Sequence, residues 1–235
     1  MSTQLDPISV AADLLYAVKT GGDVDSLRRR LATLERDRLS RALSSHRQRL
    51  AFWLNCYNAY VQLRLDAEPS GLEGGILARW KFRVRDRIPV AGVRLSLADI
   101  EHGMLRRSAH PWGLGYVPRP FPSSFERAFR LESVDPRIHF ALDTGTENGP
   151  PITIYSPADC DEELEVATEW YVDENVRYDH DRETVRLPRL FLWYRGDFGG
   201  KRGIRELLAR HGVIPAGSKP ALEYEKRDWS IDVDP

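Results

Sequence analysis

AFWLNCYNAYVQL, residues 51–63, is the stretch whose reading decides how this chain folds. At about 100° per residue, Leu50, Trp53, Leu54, Tyr57, Tyr60, Val61 and Leu65 share a broad apolar face, and Phe52, Cys56 and Leu63 occupy a second. Between the two runs a narrow strip of uncharged amides, Gln48, Asn55, Asn58 and Gln62. A helix that is apolar on two flanks is expected to be buried. Amides inside it need partners, because a buried unsatisfied amide costs about 1–3 kcal/mol. Each amide both donates and accepts, so each can tie down the backbone of another segment. Structural anchoring is therefore the first reading, with Asn55 bonded to the loop near residues 143–151 or to a helix at 99–103. The second has Asn55 or Asn58 facing a pocket as orienter or oxyanion donor. Cys56 lies mid-helix, away from the exposed amides that lower a thiol pKa, and is not read as a nucleophile.

Upstream of this helix, which is expected over Ser45 to Asp66, residues Leu5 to Val18 form another, stopped by Thr20-Gly21-Gly22. Asp23 or Asp25 caps the next, which carries Leu27, Leu31 and Leu34 at helical spacing. Downstream, Phe82–Val90 and Val93–Leu97 flank Ala91-Gly92 as a hairpin, with Pro89 marking an edge. Ser96 or Asp99 opens a short helix through Glu101, His102 and Leu105. An irregular stretch rich in proline and aromatics, HPWGLGYVPRPFPSSF, follows; it suits a functional loop or rigid surface cover equally. Arg137 to Leu142 reads as a strand, Pro157 to Val172 as a helix with an acidic start, and Val176 to Leu187 as a second hairpin. Phe191–Tyr194 and Ile204–His211 read as helical, with Gly212 closing the latter, and the tail EYEKRDWSIDVDP as extended. Helices first, then hairpins mixed with helices, predict an α+β fold: a single domain of helices on a small, mostly antiparallel sheet. Residues 1–45 are expected to be a helical extension and 46–235 the domain.

Composition narrows the function classes. With 42% hydrophobic and 29% charged residues the chain has the balance of a soluble globular domain. No run approaches the roughly 18 apolar residues of a membrane helix, and the N-terminus lacks the basic start and apolar stretch of a signal peptide. A net charge of −1 argues against general nucleic-acid binding. Cys56 and Cys160 stand far apart, with the spacing of neither a disulfide framework nor a zinc site, and are read as free thiols of a reducing, cytoplasmic compartment. No cofactor or partner is named by any motif. DFGGKRG invites a phosphate-loop reading, but no strand leads into it and no Gly-Lys-Ser/Thr follows.

Four blocks carry a resemblance. AFWLNCYNAY, RIPVAGVRLSLADIEHGMLR, DPRIHFALDTGTENGPPI and LPRLFLWYRGDFGG resemble, in that order, the hallmark blocks of the domain of unknown function 547 family, over roughly residues 46–210. The family implies no established reaction. The resemblance places Asn55, Asn58, Glu101-His102, Arg137 and His139 at matching positions. It also implies an Asn-Cys and a Cys-Pro-Pro where this chain has Asp143-Thr144 and Gly149-Pro150-Pro151. If the common member is a thiol enzyme of papain- or transglutaminase-like kind, this copy lacks its nucleophile, since a threonine hydroxyl needs a positioned base to replace a thiolate. If the thiols pair or hold a metal, it lacks that too.

The candidate catalytic residues are His102, His139, Glu101 and Asp143, and the candidate binding residues Asn55, Asn58, Arg137 and Thr144. Two imidazoles and two carboxylates suit acid/base work or a metal. Nothing in the local spacing specifies a metal, and a structural role, with His139 hydrogen-bonded in the core, stands beside both. Arg137 reads as an ion-pair partner before an anion clamp, and Arg195 with Asp197 as a turn-stabilising pair before pocket lining. Two function classes stay open: a non-catalytic relative that keeps a polar pocket for a ligand or partner, and a hydrolase- or transferase-like enzyme using His102 and His139 with carboxylates. On a strand, His139 and Asp143 would share one side with Arg137, leaving Ile138, Phe140 and Leu142 to the core.

Overall fold

The structure is a computed structural model that describes residues 6–69, 75–85, 88–143 and 152–225. The quoted stretch lies in α4 (His46–Ala67), the axis of the fold, in which every residue from Leu50 to Val61 is buried. Ser45 and Gln48 close a reciprocal capping box at its start, Gln48 Oε1 accepting from the Ser45 amide at 2.9 Å. Gln48 therefore leaves the buried strip, which reduces to Asn55, Asn58 and Gln62.

Helix α1 (Pro7–Thr20) is capped by Asp6 and ended by Gly21 in the left-handed region at φ 73°, and packs Leu14 and Leu15 into the core cluster of α4. Asp23 caps α2 (Val24–Ala32), and α3 (Arg36–Ala42) is a further short helix that the leucine spacing had not revealed. Strands β1 (Ile88–Val90) and β2 (Val93–Leu95) form the first hairpin. Its Ala91-Gly92 turn has φ of 49° and 75°, as a two-residue turn with both centres left-handed requires. The turn's amides donate to the Leu31 and Ala32 carbonyls, satisfying the open end of α2. The start of the expected Phe82–Val90 strand is corrected: Phe82–Val84 end helix α5 (Gly75–Val84), and Phe82 is buried under the Arg64 guanidinium, 4.4 Å from its ring.

A second, smaller core cluster lies towards the C-terminus. It is built on β3 (Arg177–Asp179), β4 (Thr184–Leu187) and β5 (Ala221–Tyr224), with α9 (Leu190–Trp193) and α10 (Gly200–Arg210). β3 pairs antiparallel with β4, as expected of the second hairpin, and β5 joins β4 in parallel. α6 (Ser124–Phe129) follows the proline-rich stretch, and α8 (Cys160–Asn175) starts three residues after the expected Pro157 and carries Asp161, Glu162 and Glu163 in its first turn. Small sheets of two and three strands among helices make this a single α+β domain. No described helix is long and apolar enough to cross a membrane.

The main correction is at residues 137–142. The expected strand is a single helical turn, α7 (Ile138–Ala141), opened by Asp135-Pro136. The Arg137 amide donates to Asp135 Oδ1 at 3.0 Å, and the Leu142 amide donates to the Ile138 carbonyl at 3.0 Å. Over six residues, RIHFAL fits an alternating pattern and an i, i+3, i+4 pattern alike. The second prevails because Ile138, Ala141 and Leu142 bury together in the α4 cluster while Phe140 buries in the C-terminal one. The shared polar side of Arg137, His139 and Asp143 goes with the strand. α7 sits where the two clusters meet.

A buried polar centre as candidate functional site

Two amides of α4 hold described residues on either side of positions 144–151. Asn58 Nδ2 donates to the Ala141 carbonyl at 3.0 Å and its Oδ1 accepts from the Asp143 amide at 3.0 Å. One turn earlier, Asn55 does the same to Tyr155: Nδ2 to the carbonyl at 2.8 Å, and Oδ1 from the amide at 2.9 Å. Both side chains are fully buried and use the amide as a backbone mimic. Gln62, one more turn along, donates to Asp143 Oδ2. The amide strip thus ties α4 to the backbone at Ala141, Asp143 and Tyr155, with Asn55 gripping Tyr155 rather than residues 143–151 or the 99–103 helix. Thr144, Gly149, Pro150 and Pro151 lie outside the described residues.

The segment Asp99–Leu105 is helical as expected but π-wound, the Arg106 amide donating to the Glu101 carbonyl at 2.9 Å. Ser96 and Asp99 exchange hydrogen bonds at its entrance. The wider turn buries Glu101 and His102 although they are adjacent in sequence. Arg107 and Ser108 follow at φ 50° and 63°, strained positions for side-chain-bearing residues, which direct the chain away again.

These elements converge on one buried network. Arg106 Nη1 donates to His102 Nδ1 at 2.8 Å, and Arg106 Nε donates to Asp197 Oδ2 at 2.5 Å. His139 Nε2 stands 2.9 Å from the same Asp197 oxygen. Glu101 accepts from the Tyr194 hydroxyl at 2.7 Å and from Arg83 at 3.2 Å. The Tyr194 ring stacks on His139 at 3.9 Å, and the Arg106 guanidinium lies 4.6 Å from the same ring. Two guanidinium groups therefore face two carboxylates. Tyr57 and Asp143 border the centre, since the Tyr57 phenol feels the charges of Arg83, Glu101 and Asp143.

Protonation follows from the partners. Arginine cannot accept a hydrogen bond, so His102 Nδ1 is the acceptor and its ring proton sits on Nε2. Burial pushes the His102 pKa down to about 4, with nearby arginines adding to the effect against the pull of Glu101, so the ring is neutral. The 3.7 Å between His102 and Glu101 is accordingly no ion pair. Burial also lowers His139, against the opposing pull of Asp197. Its Nε2 carries the proton, because a carboxylate can only accept. For Glu101 and Asp197 burial opposes ionisation, but the donors around them outweigh it and hold both below the usual carboxylate range.

Of the candidate residues, Glu101, His102 and His139 meet in this network, the two imidazoles joined through Arg106 and Asp197. Asp143 stands beside it on the Asn58–Gln62 side. Arg137 is elsewhere: it pairs with Asp135 at 2.7 Å, Asp161 at 2.9 Å and Glu165 at 3.4 Å. Asp197 does not pair with Arg195, whose guanidinium lies 5.7 Å from the Tyr116 ring. Arg83, Arg106 and Tyr194 complete the centre without having been picked from the sequence, and Asp197, read there as a turn-stabilising partner of Arg195 before pocket lining, joins them. The glycines flanking them were the available signal. A Cβ on Gly196 would stand 2.4 Å from the Gly115 carbonyl carbon, so only glycine lets the 110–118 stretch press onto the turn that carries Asp197. Among the described residues no three His, Cys, Asp or Glu side chains gather as a metal-ligand set. Both cysteines are free and buried, and burial raises the pKa of each thiol, that of Cys160 to about 12.

Comparison with curated proteins and with solved structures finds no match. The family model described as "Protein of unknown function, DUF547" matches residues 41–172, more than half of the chain, including both asparagine clamps, the π-wound Glu101-His102 segment and the His139 turn. On that match the chain belongs to the DUF547 family.

Proposed function

We propose that this protein is a divergent DUF547 member that lacks the family's loop thiols and keeps the buried centre as a polar pocket for a ligand or partner. The observation that carries this reading is Arg106. Its side chain is fully buried, yet Nη2 has no acceptor among the described residues. A buried donor left unpaired costs about 1–3 kcal/mol, which a bound carboxylate or amide oxygen would recover. Thiol chemistry has no support: residues 137–151 hold no cysteine, and Cys56 and Cys160 are buried within helices.

A second reading, a hydrolase- or transferase-like enzyme, draws on the His139–Asp197 pair, which has the form of an imidazole oriented by a carboxylate. The proposal takes residues 1–45 as an extension docked through Leu14 and Leu15 on the domain of residues 46–235. Two free thiols suit a cytoplasmic setting, and the net charge of −1 gives no footing for general nucleic-acid binding. The test sets thiol- and hydrolase-directed probes on this protein and on a thiol-bearing relative, beside thermal-shift measurements with a panel of small carboxylates. The expected result is labelling of the relative alone, and a carboxylate-induced rise in Tm that Arg106→Lys abolishes. Probe labelling of this chain that His139→Ala removes would overturn the binding reading in favour of the enzyme.

A further inference from the structure

Away from the buried centre, the C-terminal half of α4 forms one wall of a cavity of about 780 Å3, a volume within the range of small-molecule sites. Among the described residues its lining holds four arginines, Arg28, Arg64, Arg85 and Arg94, against one acid, Glu68. The chain as a whole carries a net charge of −1, so this concentration of positive charge is local. The four come from separate elements: Arg28 from α2, Arg64 from α4, Arg85 from the end of α5 and Arg94 from β2.

They are not equally committed. Arg64 is buried, donating to the Phe82 carbonyl and 3.9 Å from Glu68, so it is a fixed positive charge in the wall. Arg28 is loosely paired with Asp25 at 3.6 Å in an exposed setting, where such pairs are weak. Arg85 and Arg94 are exposed and have no acidic partner among the described residues. A second observation is independent of charge. Tyr60 lines the same cavity, is 7% exposed, and its buried hydroxyl donates to no acceptor among the described residues. Burial pushes its pKa up to about 12, against the pull of Arg28, so at neutral pH it is a donor in want of an acceptor. The remaining surface is apolar: Leu63, Ile88 and the Tyr60 ring, with the Arg28 guanidinium 5.8 Å from that ring's centroid.

We propose that this cavity is an anion site for a soluble organic phosphate, the phosphates held by Arg85, Arg94 and Arg28 with the Tyr60 hydroxyl, and an apolar body seated on Leu63 and Ile88. Arginine forks match phosphate oxygens two at a time, which surface lysines would not do. The three arginines left for the ligand exceed what a single carboxylate would need, which points to more than one phosphate charge. The site shares no residue with the Arg106 centre, and it stands or falls separately from the function proposed there.

The experiment is isothermal titration calorimetry of the full chain with ADP, inorganic pyrophosphate and adenosine, with vesicles containing phosphatidylinositol phosphate as a further arm. ADP and pyrophosphate are expected to bind, ADP the tighter, with adenosine silent. Removing an arginine–phosphate contact should weaken binding by ~10-fold or more, so Arg85→Glu/Arg94→Glu should lose ADP. Tyr60→Phe should weaken it by several-fold, and Arg202→Glu, an exposed side chain of α10, should leave it unchanged. Silence of ADP and pyrophosphate up to millimolar concentration would overturn the proposal. So would an equal loss in Arg202→Glu, which would mark non-specific charge attraction, or binding to the vesicles alone, which would assign the surface to a lipid headgroup.

Discussion

His102 should make the folded state acid-sensitive well above the range where carboxylates titrate. Its ring is buried and receives the Arg106 Nη1–H on Nδ1 at 2.8 Å. Protonating that nitrogen would set two donors face to face beside a cation. The folded pKa is therefore depressed, from 6.5 to about 4. Between those values the unfolded chain binds a proton that the folded chain refuses, so stability rises with pH there. It is fully present above pH 6.5 and lost as pH falls towards 4. A shift of that size corresponds to about 3 kcal/mol, at a slope of about 1.4 kcal/mol per pH unit for one proton. His139 is depressed in the same direction and adds to the slope. Glu163, raised mainly by burial, opposes it weakly from a half-buried position. The assay is urea unfolding at a series of pH values from neutral to 4.5, for the wild type and for His102→Asn, whose Oδ1 still accepts from Arg106. The wild type should lose stability steadily on acidification, and the variant should lose visibly less. A wild-type midpoint that is flat or rises as pH falls would refute the neutral, arginine-locked imidazole, as would a variant that keeps the full slope.

Trp53→Ala should cost about 3–5 kcal/mol by urea midpoint, because Trp53 is fully buried, edge-on to Phe52, and its indole donates to the Phe129 carbonyl at 2.9 Å. Asn58→Ala leaves the Ala141 carbonyl and the Asp143 amide without their partner; about 2–4 kcal/mol of stability and much of the hydrogen-exchange protection of Asp143 should go, and an unchanged exchange rate would contradict the clamp. Asp197→Leu removes the acceptor shared by Arg106 and His139, and stranding that buried arginine should cost about 3–5 kcal/mol. Gly203→Ala would place a Cβ 1.8 Å from the Phe198 carbonyl oxygen, so α10 must shift from the Asp197 turn, with a loss of about 1–3 kcal/mol visible as a lower Tm.

Local rules served well wherever one segment carries its own instruction. Asp23 caps α2, Gly21 ends α1, and Ala91-Gly92 turns the first hairpin, all through contacts within a few residues. They failed where a short run satisfies two periods at once. RIHFAL is helical because two separate clusters claim its apolar residues, and the residues before Ile88 are helical through Val84, with Phe82 buried against Arg64. The amide strip gave notice of Asn55 and Asn58, since an uncharged polar line in an apolar helix must find partners, but their partners lie 83 to 100 residues away in sequence.

From the sequence alone follow the α+β class, the central buried helix, the anchoring amides and the family blocks, because these rest on periodicity, capping and residue order. The tertiary structure alone decided the polar centre. In sequence Arg106 looks like a surface charge in EHGMLRRS and Asp197 like one half of a turn-stabilising pair in YRGDFGG, and they become its core only when a π-wound turn and a glycine-permitted close approach bring residues 91 positions apart to 2.5 Å. A charge is buried by its neighbours in space, and sequence spacing carries no record of them.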